Sequence, residues 1–157
     1  MPRSKRNGAS ERVHASAVAI GEAGLLIRGA SGAGKSFLSL ALLALAKQEG
    51  LFARLIGDDR VALAACGGRI IARPVSPLEG LVERRGLGLT PEPYLSAAVI
   101  RLIVDCKGEE PPRMPEPEAL VEQVLGIDLP RLTIHGQAGD ERLVLAALRL
   151  FQDESFA

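Results

Sequence analysis

The sequence predicts a single α/β domain with a mixed β-sheet, and three observations carry that prediction. The first is size and composition: 157 residues, 47% hydrophobic and 24% charged, suit one soluble domain with a real core. The second is an apolar segment at 25–28 that runs through a glycine-rich turn into an apolar helix, the unit from which parallel α/β sheets are built. The third is a pair of hairpin patterns, one ahead of that unit and one after it, which add antiparallel neighbours to the same sheet.

Residues 1–12 hold Arg3, Lys5, Arg6 and Arg12 against Glu11, with no apolar run behind them, so they read as a disordered basic tail and not as a secretory signal. The folded domain is expected over 13–152. Residues 13–20 are rich in small and β-branched types, 21–24 give a turn, and 25–28 resume extended structure, which makes the first hairpin. His14 falls near the start of its first strand. A helix is expected from Ser36 to Lys47, with Leu38, Leu42 and Leu45 on one side and Leu40 and Leu43 widening the apolar face; Gly50 stops it. Residues 54–57 form an apolar strand that ends in Asp58 and Asp59.

The second hairpin is 61–65 with 69–72, turned by Gly67 and Gly68 and ended by Pro74 and Pro77. Residues 81–89 interleave charge, glycine and leucine. Charges of this kind are normally solvated surface, but two glycines spaced by one residue suggest backbone held close to something. A strong strand follows at 97–104. Pro111, Pro112, Pro115 and Pro117 then forbid regular structure over 105–117, which reads as a mobile loop and a candidate lid. A last strand at 129–134 and a helix at 140–152, with Leu143, Ala147 and Leu150 facing inward, complete the chain.

The formal net charge is zero, so no overall field favours nucleic acid or a membrane. Cys66 and Cys106 make neither a disulfide framework nor a metal site. No apolar run approaches the roughly 18 residues of a membrane span. A cytoplasmic enzyme fits these features.

The chemistry lies in Gly29, Ala30, Ser31, Gly32, Ala33, Gly34, Lys35 and Ser36, which match G-x-x-x-x-G-K-S in full between a strand and a helix. Successive N–H groups curl around a phosphate, which demands small side chains and some positive φ values. The helix then points its N-terminal partial charge at the anion. Lys35 reaches the β/γ-phosphates and the Ser36 hydroxyl holds Mg²⁺, so the chain is expected to bind a nucleoside triphosphate. Asp58 and Asp59 fall at the carboxyl end of a strand, where ligands gather in α/β folds; either can bind Mg²⁺ or take a proton from an attacking hydroxyl. A GTPase would need an Asn-Lys-x-Asp motif, and the one asparagine is Asn7. A small-molecule kinase and a nucleotide-binding regulator without turnover stay open on these residues alone.

Four blocks resemble, in order, the HPr kinase/phosphorylase family, bacterial enzymes that phosphorylate a serine of the phosphocarrier protein HPr. Val13-His14-Ala15-Ser16 resembles the catalytic-histidine strand, 21 residues ahead of Lys35. The glycine-rich loop resembles the family's nucleotide loop. Leu55-Ile56-Gly57-Asp58-Asp59-Arg60-Val61 is similar to a Leu-x-Ala-Asp-Asp segment, and Val82-Glu83-Arg84-Arg85-Gly86-Leu87-Gly88-Leu89 to the signature Leu-Glu-Ile-Arg-Gly-Leu-Gly-Ile.

The resemblance implies a phosphoenolpyruvate-carboxykinase-like nucleotide core, ATP and Mg²⁺ as cofactors, and HPr as the partner, in regulation of the phosphotransferase system and carbon metabolism. It implies a catalytic role for His14, phosphate contact for Lys35, metal contact for Ser36 and Glu83, and a base role for Asp58 or Asp59, with the spacing leaning to Asp59. Arg113 is similar to an active-site-loop arginine that stabilises transferring charge. A homo-oligomer, such as a hexamer, follows from the family's habit. Two departures stand out. The family's N-terminal domain has no counterpart, implying a short form. A Pro-Val-Arg-Pro-Gly-Arg-Asn stretch linked to dephosphorylation is replaced by residues 134–141, with both arginines gone, so the kinase direction is favoured and phosphorylase activity is expected to be weak.

Overall fold

The computed structural model describes residues 9–152. The elements are β1 (Ser10–Val13), β2 (Ala15–Ile20), β3 (Ala23–Gly29), α1 (Lys35–Gln48), β4 (Ala53–Gly57), β5 (Val61–Cys66), β6 (Arg69–Pro74), β7 (Leu81–Arg84), β8 (Gly88–Pro91), β9 (Ala98–Cys106), a 3₁₀ turn at Pro117–Leu120, β10 (Val121–Val124), β11 (Ile127–Ile134) and α2 (Asp140–Gln152). The α/β class and the mixed sheet are as the sequence predicts.

The central strands lie in the order β4-β2-β3-β9, with β11 on the far side of β9. β3 pairs parallel with β9, and β9 parallel with β11, while β2 runs antiparallel to both β3 and β4. So β3, β4, β9 and β11 all end at one rim of the sheet, and β2 begins there. That rim collects the glycine-rich loop, Asp58 and Asp59, the stretch after β9, and His14.

One face of the sheet is covered by both helices, through Leu25, Ile27, Leu38, Leu42, Leu102, Val144 and Leu148. The other face is covered by the chain's own second hairpin. β1-β5-β6 joins the start of β9 and folds back, so that Val61, Leu63, Ile70 and Ala72 pack against Ala15, Ala17, Ala19, Leu26 and Ile103. The alanines make this possible: small side chains on that face of β2 let a second layer approach closely.

Several boundaries differ from expectation. The predicted tail was 1–12, yet Ser10–Val13 is a strand paired with β5; residues 1–8 lie outside the described chain. Arg12 faces Ala62 across that pairing, so its charge marks an exposed edge strand, a common protection of sheet edges. His14 sits at the bend between β1 and β2, not inside a strand. Residues 81–91 are not plain surface but a two-stranded hairpin, β7-β8, with Gly86 at φ 89° and Gly88 at φ 83° in its turn. In α2 the buried residues are Val144, Leu145, Ala147 and Leu148, whereas Leu143 and Leu150 are about half exposed at 49% and 48%. The helix sequence offers two apolar stripes one position apart, and docking beside α1 selects the second.

Candidate active site

The glycine-rich loop is shaped by its glycines and by what lies behind it. Gly32 and Gly34 take φ values of 80° and 94°, in the left-handed region that side chains resist. A Cβ on Gly34 would lie 2.6 Å from the carbonyl oxygen of Gly136, and one on Gly136 would lie 2.4 Å from that of Ala33. The loop is therefore seated against the turn after β11, and glycine is needed on both sides of the contact. Lys35 opens α1 and is only 5% exposed. Its Nζ donates to the carbonyls of Gly29 (2.8 Å) and Ala30 (3.2 Å), which fixes a full positive charge inside the curl. Such a curl of N–H groups, a helix N-terminus and an ammonium is an anion site.

Asp58 and Asp59 follow β4 and take different places. The β2–β4 register shifts at Ala17/Val18, an irregularity of the kind that re-aims a strand end. The Asp58 carboxylate accepts from Ser36 Oγ (2.7 Å) and Ser16 Oγ (3.0 Å) on Oδ1, and from the Glu83 N–H (3.1 Å) on Oδ2. Asp59 has φ 64°, and the Arg60 N–H donates across it to the Asp58 carbonyl at 2.7 Å. That is a tight three-residue turn through a non-glycine residue, a strained conformation of the kind that clusters at functional sites. A Cβ on Gly57 would lie 2.7 Å from Val61 Cγ1, so the turn leaves no room for a side chain there. Asp59 Oδ1 meets His14 Nε2 at 2.5 Å, and the two side chains are 57% and 48% exposed. One acid is thus tied to the loop serine, while the other faces solvent with the histidine.

Beneath the loop lies an ion cluster around the buried Asp105 that the sequence does not reveal. Arg28, the residue before Gly29, holds Asp105 through two bonds, Nε–Oδ1 at 2.7 Å and Nη2–Oδ2 at 2.8 Å. Arg131 Nε lies 2.7 Å from Asp105 Oδ2 but off a hydrogen-bond line, and Arg131 Nη1 and Arg28 Nη2 reach Glu122 at 2.9 and 3.2 Å. Burial pushes the Asp105 carboxyl up, but the Arg28 bonds and the Arg28 and Arg131 charges outweigh it and leave it below the ordinary range. The cluster locks together the ends of β3, β9 and β11. Cys106, next along β9, is buried, and burial with the nearby Asp105 and Asp140 charges pushes its thiol up to about 11, so it is an inert packing group.

The structure brings together His14, Lys35, Ser36, Asp58 and Asp59, as the sequence predicts. Glu83 arrives only through its main-chain N–H on Asp58, and its side chain is exposed. Arg113 lies exposed in the proline-rich stretch and forms no ion pair among the described residues. Asp140, in the stretch that replaces the two arginines, accepts from the N–H groups of Gly136 (2.8 Å) and Gln137 (2.9 Å) at the start of α2. Sequence reasoning missed Ser16, whose full burial in a run of small residues gave no signal.

A phosphate-binding loop on the carboxyl rim of a mixed sheet, with its serine on a strand-end aspartate, defines a P-loop kinase type of domain. The family model "HPr Serine kinase C-terminal domain" matches residues 6–91, more than half of the chain, and the chain belongs to that family. The HPr kinase/phosphorylase of Mycoplasma mycoides subsp. mycoides is 43% identical over 76 residues, which is 48% of this chain but only 22% of that protein's length. Among solved structures, the Hpr(Ser) kinase/phosphatase from Coxiella burnetii superimposes with a TM-score of 0.70 at 25% identity, covering 88% of each chain. No helix of the described residues is long and apolar enough to cross a membrane.

Proposed function

We propose that this protein transfers the γ-phosphoryl group of ATP to a serine of the phosphocarrier protein HPr. The observation that carries this is the division of labour between the two aspartates. Asp58 is held by the loop serine at 2.7 Å, and Asp59, paired with His14, is more than half exposed and open to an incoming hydroxyl. Family membership supports HPr as the acceptor, as do the names of the relatives.

Ser36 and Asp58 offer a hydroxyl and a carboxylate, hard oxygen donors of the kind that hold Mg²⁺ together with nucleotide phosphates. A Mg²⁺ held there would supply positive charge against the nucleotide phosphates. Lys35 and the loop N–H groups fix those phosphates. Asp59 accepts the proton of the acceptor serine as its oxygen attacks the γ-phosphorus, and the bond to the leaving ADP oxygen breaks. His14 holds the Asp59 carboxylate in place. Catalysis is then mostly positioning and charge stabilisation.

The forward direction is favoured. Phosphorolysis needs an inorganic phosphate held beside a phosphoserine that repels it, and the turn at 134–141 supplies no arginine for that purpose. A kinase with weak phosphorylase activity follows.

This assignment separates the acids by experiment. Asp58→Asn is expected to raise the Mg²⁺ concentration for half-maximal rate at least about tenfold, because the residue loses its charge beside Ser36. Glu83→Gln is expected to raise it less, since Glu83 reaches the site through its main chain. A titration of rate against Mg²⁺ for both variants checks this; an unchanged requirement in Asp58→Asn and a large one in Glu83→Gln would reverse the roles.

A further inference from the structure

We infer that Ser16 is a positioning residue that sets the relative placement of both aspartates through a single hydroxyl. This rests on the reading of Asp58 and Asp59 given above. Ser16 lies in β2, with no exposed surface, on the face that carries the glycine-rich loop. Its Oγ donates to Asp58 Oδ1 at 3.0 Å and accepts the main-chain N–H of Asp59 at 3.0 Å. A hydroxyl has one proton and two lone pairs, so both bonds form at once. The two bonds act on different things: the first aims the Asp58 carboxylate, and the second holds the peptide that enters the strained turn at Asp59, φ 64°.

The anchor comes from β2, the strand that starts beside His14. Ser16 therefore ties three parts of the site to one rigid element: the histidine by chain continuity, Asp58 by its carboxylate, and Asp59 by its N–H. Ser36 also donates to Asp58 Oδ1, but from the helix that opens after the loop, whereas Ser16 holds the same oxygen from the sheet. An Ala at this position keeps the packing of β2, whose other residues at 15, 17 and 19 are already Ala, and removes only the two bonds.

The test uses the full chain with Ser16→Ala, and Ser16→Cys as a second variant of near-native volume with a weak donor. Two quantities are read: hydrogen exchange of the Asp59 amide in the free protein, referenced to the Leu55 amide in β4, and the rate of phosphoryl transfer to HPr at saturating ATP. In both variants Asp59 exchange is expected to accelerate at least about tenfold. The kcat is expected to fall about 10–100-fold, with an unchanged number of ATP molecules bound per chain by calorimetry. Unaltered Asp59 exchange overturns the inference, and so does accelerated exchange with kcat within twofold of wild type. If the wild-type chain transfers nothing to HPr, the functional reading fails by itself, and the Asp59 amide still decides what Ser16 does.

Discussion

Lys35→Met is expected to lower phosphoryl transfer by about 10²–10³-fold, the cost typical of losing one preorganised charge at a developing anion. Met retains the apolar stem of a residue that is only 5% exposed, so packing at the start of α1 survives. What is lost is the ammonium on the Gly29 and Ala30 carbonyls, worth about 1 kcal/mol of stability. The structure places the lysine inside the loop, which makes Met a cleaner substitution than Ala. Steady-state rates and a thermal melt on the same preparation separate the two effects. Transfer within threefold of wild type would remove the loop from the mechanism.

The largest effect on stability is expected at Asp105. Replacing it by Asn leaves the half-buried Arg28 and Arg131 beside a neutral amide, with Glu122 as their remaining carboxylate. Removing the one buried charge of a half-buried cluster costs about 2 kcal/mol, a drop in melting temperature of roughly 4–8 °C for a chain of this size. The pH dependence has a definite sign. The folded-state carboxyl of Asp105 is lowered, so its contribution is fully present above the unfolded value of about 4 and fades as pH falls through the folded value. Melts of wild type and Asp105→Asn are expected to differ at pH 7 and at pH 5, and to converge in strong acid. A gap that persists unchanged at pH 2, or no gap at pH 7, would show that the cluster does not act as an ion network.

The glycine-rich loop, the acid pair and His14 were legible in the sequence because each is a local pattern: a spacing, a strand end, a block. The different placement of Asp58 and Asp59 was not legible, because it depends on a turn with φ 64° and on a hydroxyl from β2 that lies 42 residues away from Asp58 in sequence. Ser16 looked like one small residue among alanines. The Arg28–Asp105–Arg131 cluster was invisible for a similar reason: parallel pairing brings Arg28 opposite Asp105, and neither residue carries a motif. The hairpin β5-β6 was legible, but its folding back over the sheet was not, because the signal is the absence of bulk at Ala15, Ala17 and Ala19, which reads equally as a plain buried strand. In α2, a stripe at 143, 147 and 150 and one at 144, 148 and 151 are both apolar, and only docking distinguishes them.

The central claim is the transfer of phosphate to a protein serine, and one incubation tests it most directly. HPr, the full chain, Mg²⁺ and ATP labelled in the γ-phosphoryl group are mixed, and the labelled residue is located by mass spectrometry. One phosphoserine on HPr is expected, formed at a rate that collapses when Asp59 is replaced by Asn. Label that stays off HPr while a small metabolite becomes phosphorylated, or ATP that binds with no transfer to any acceptor, would contradict it.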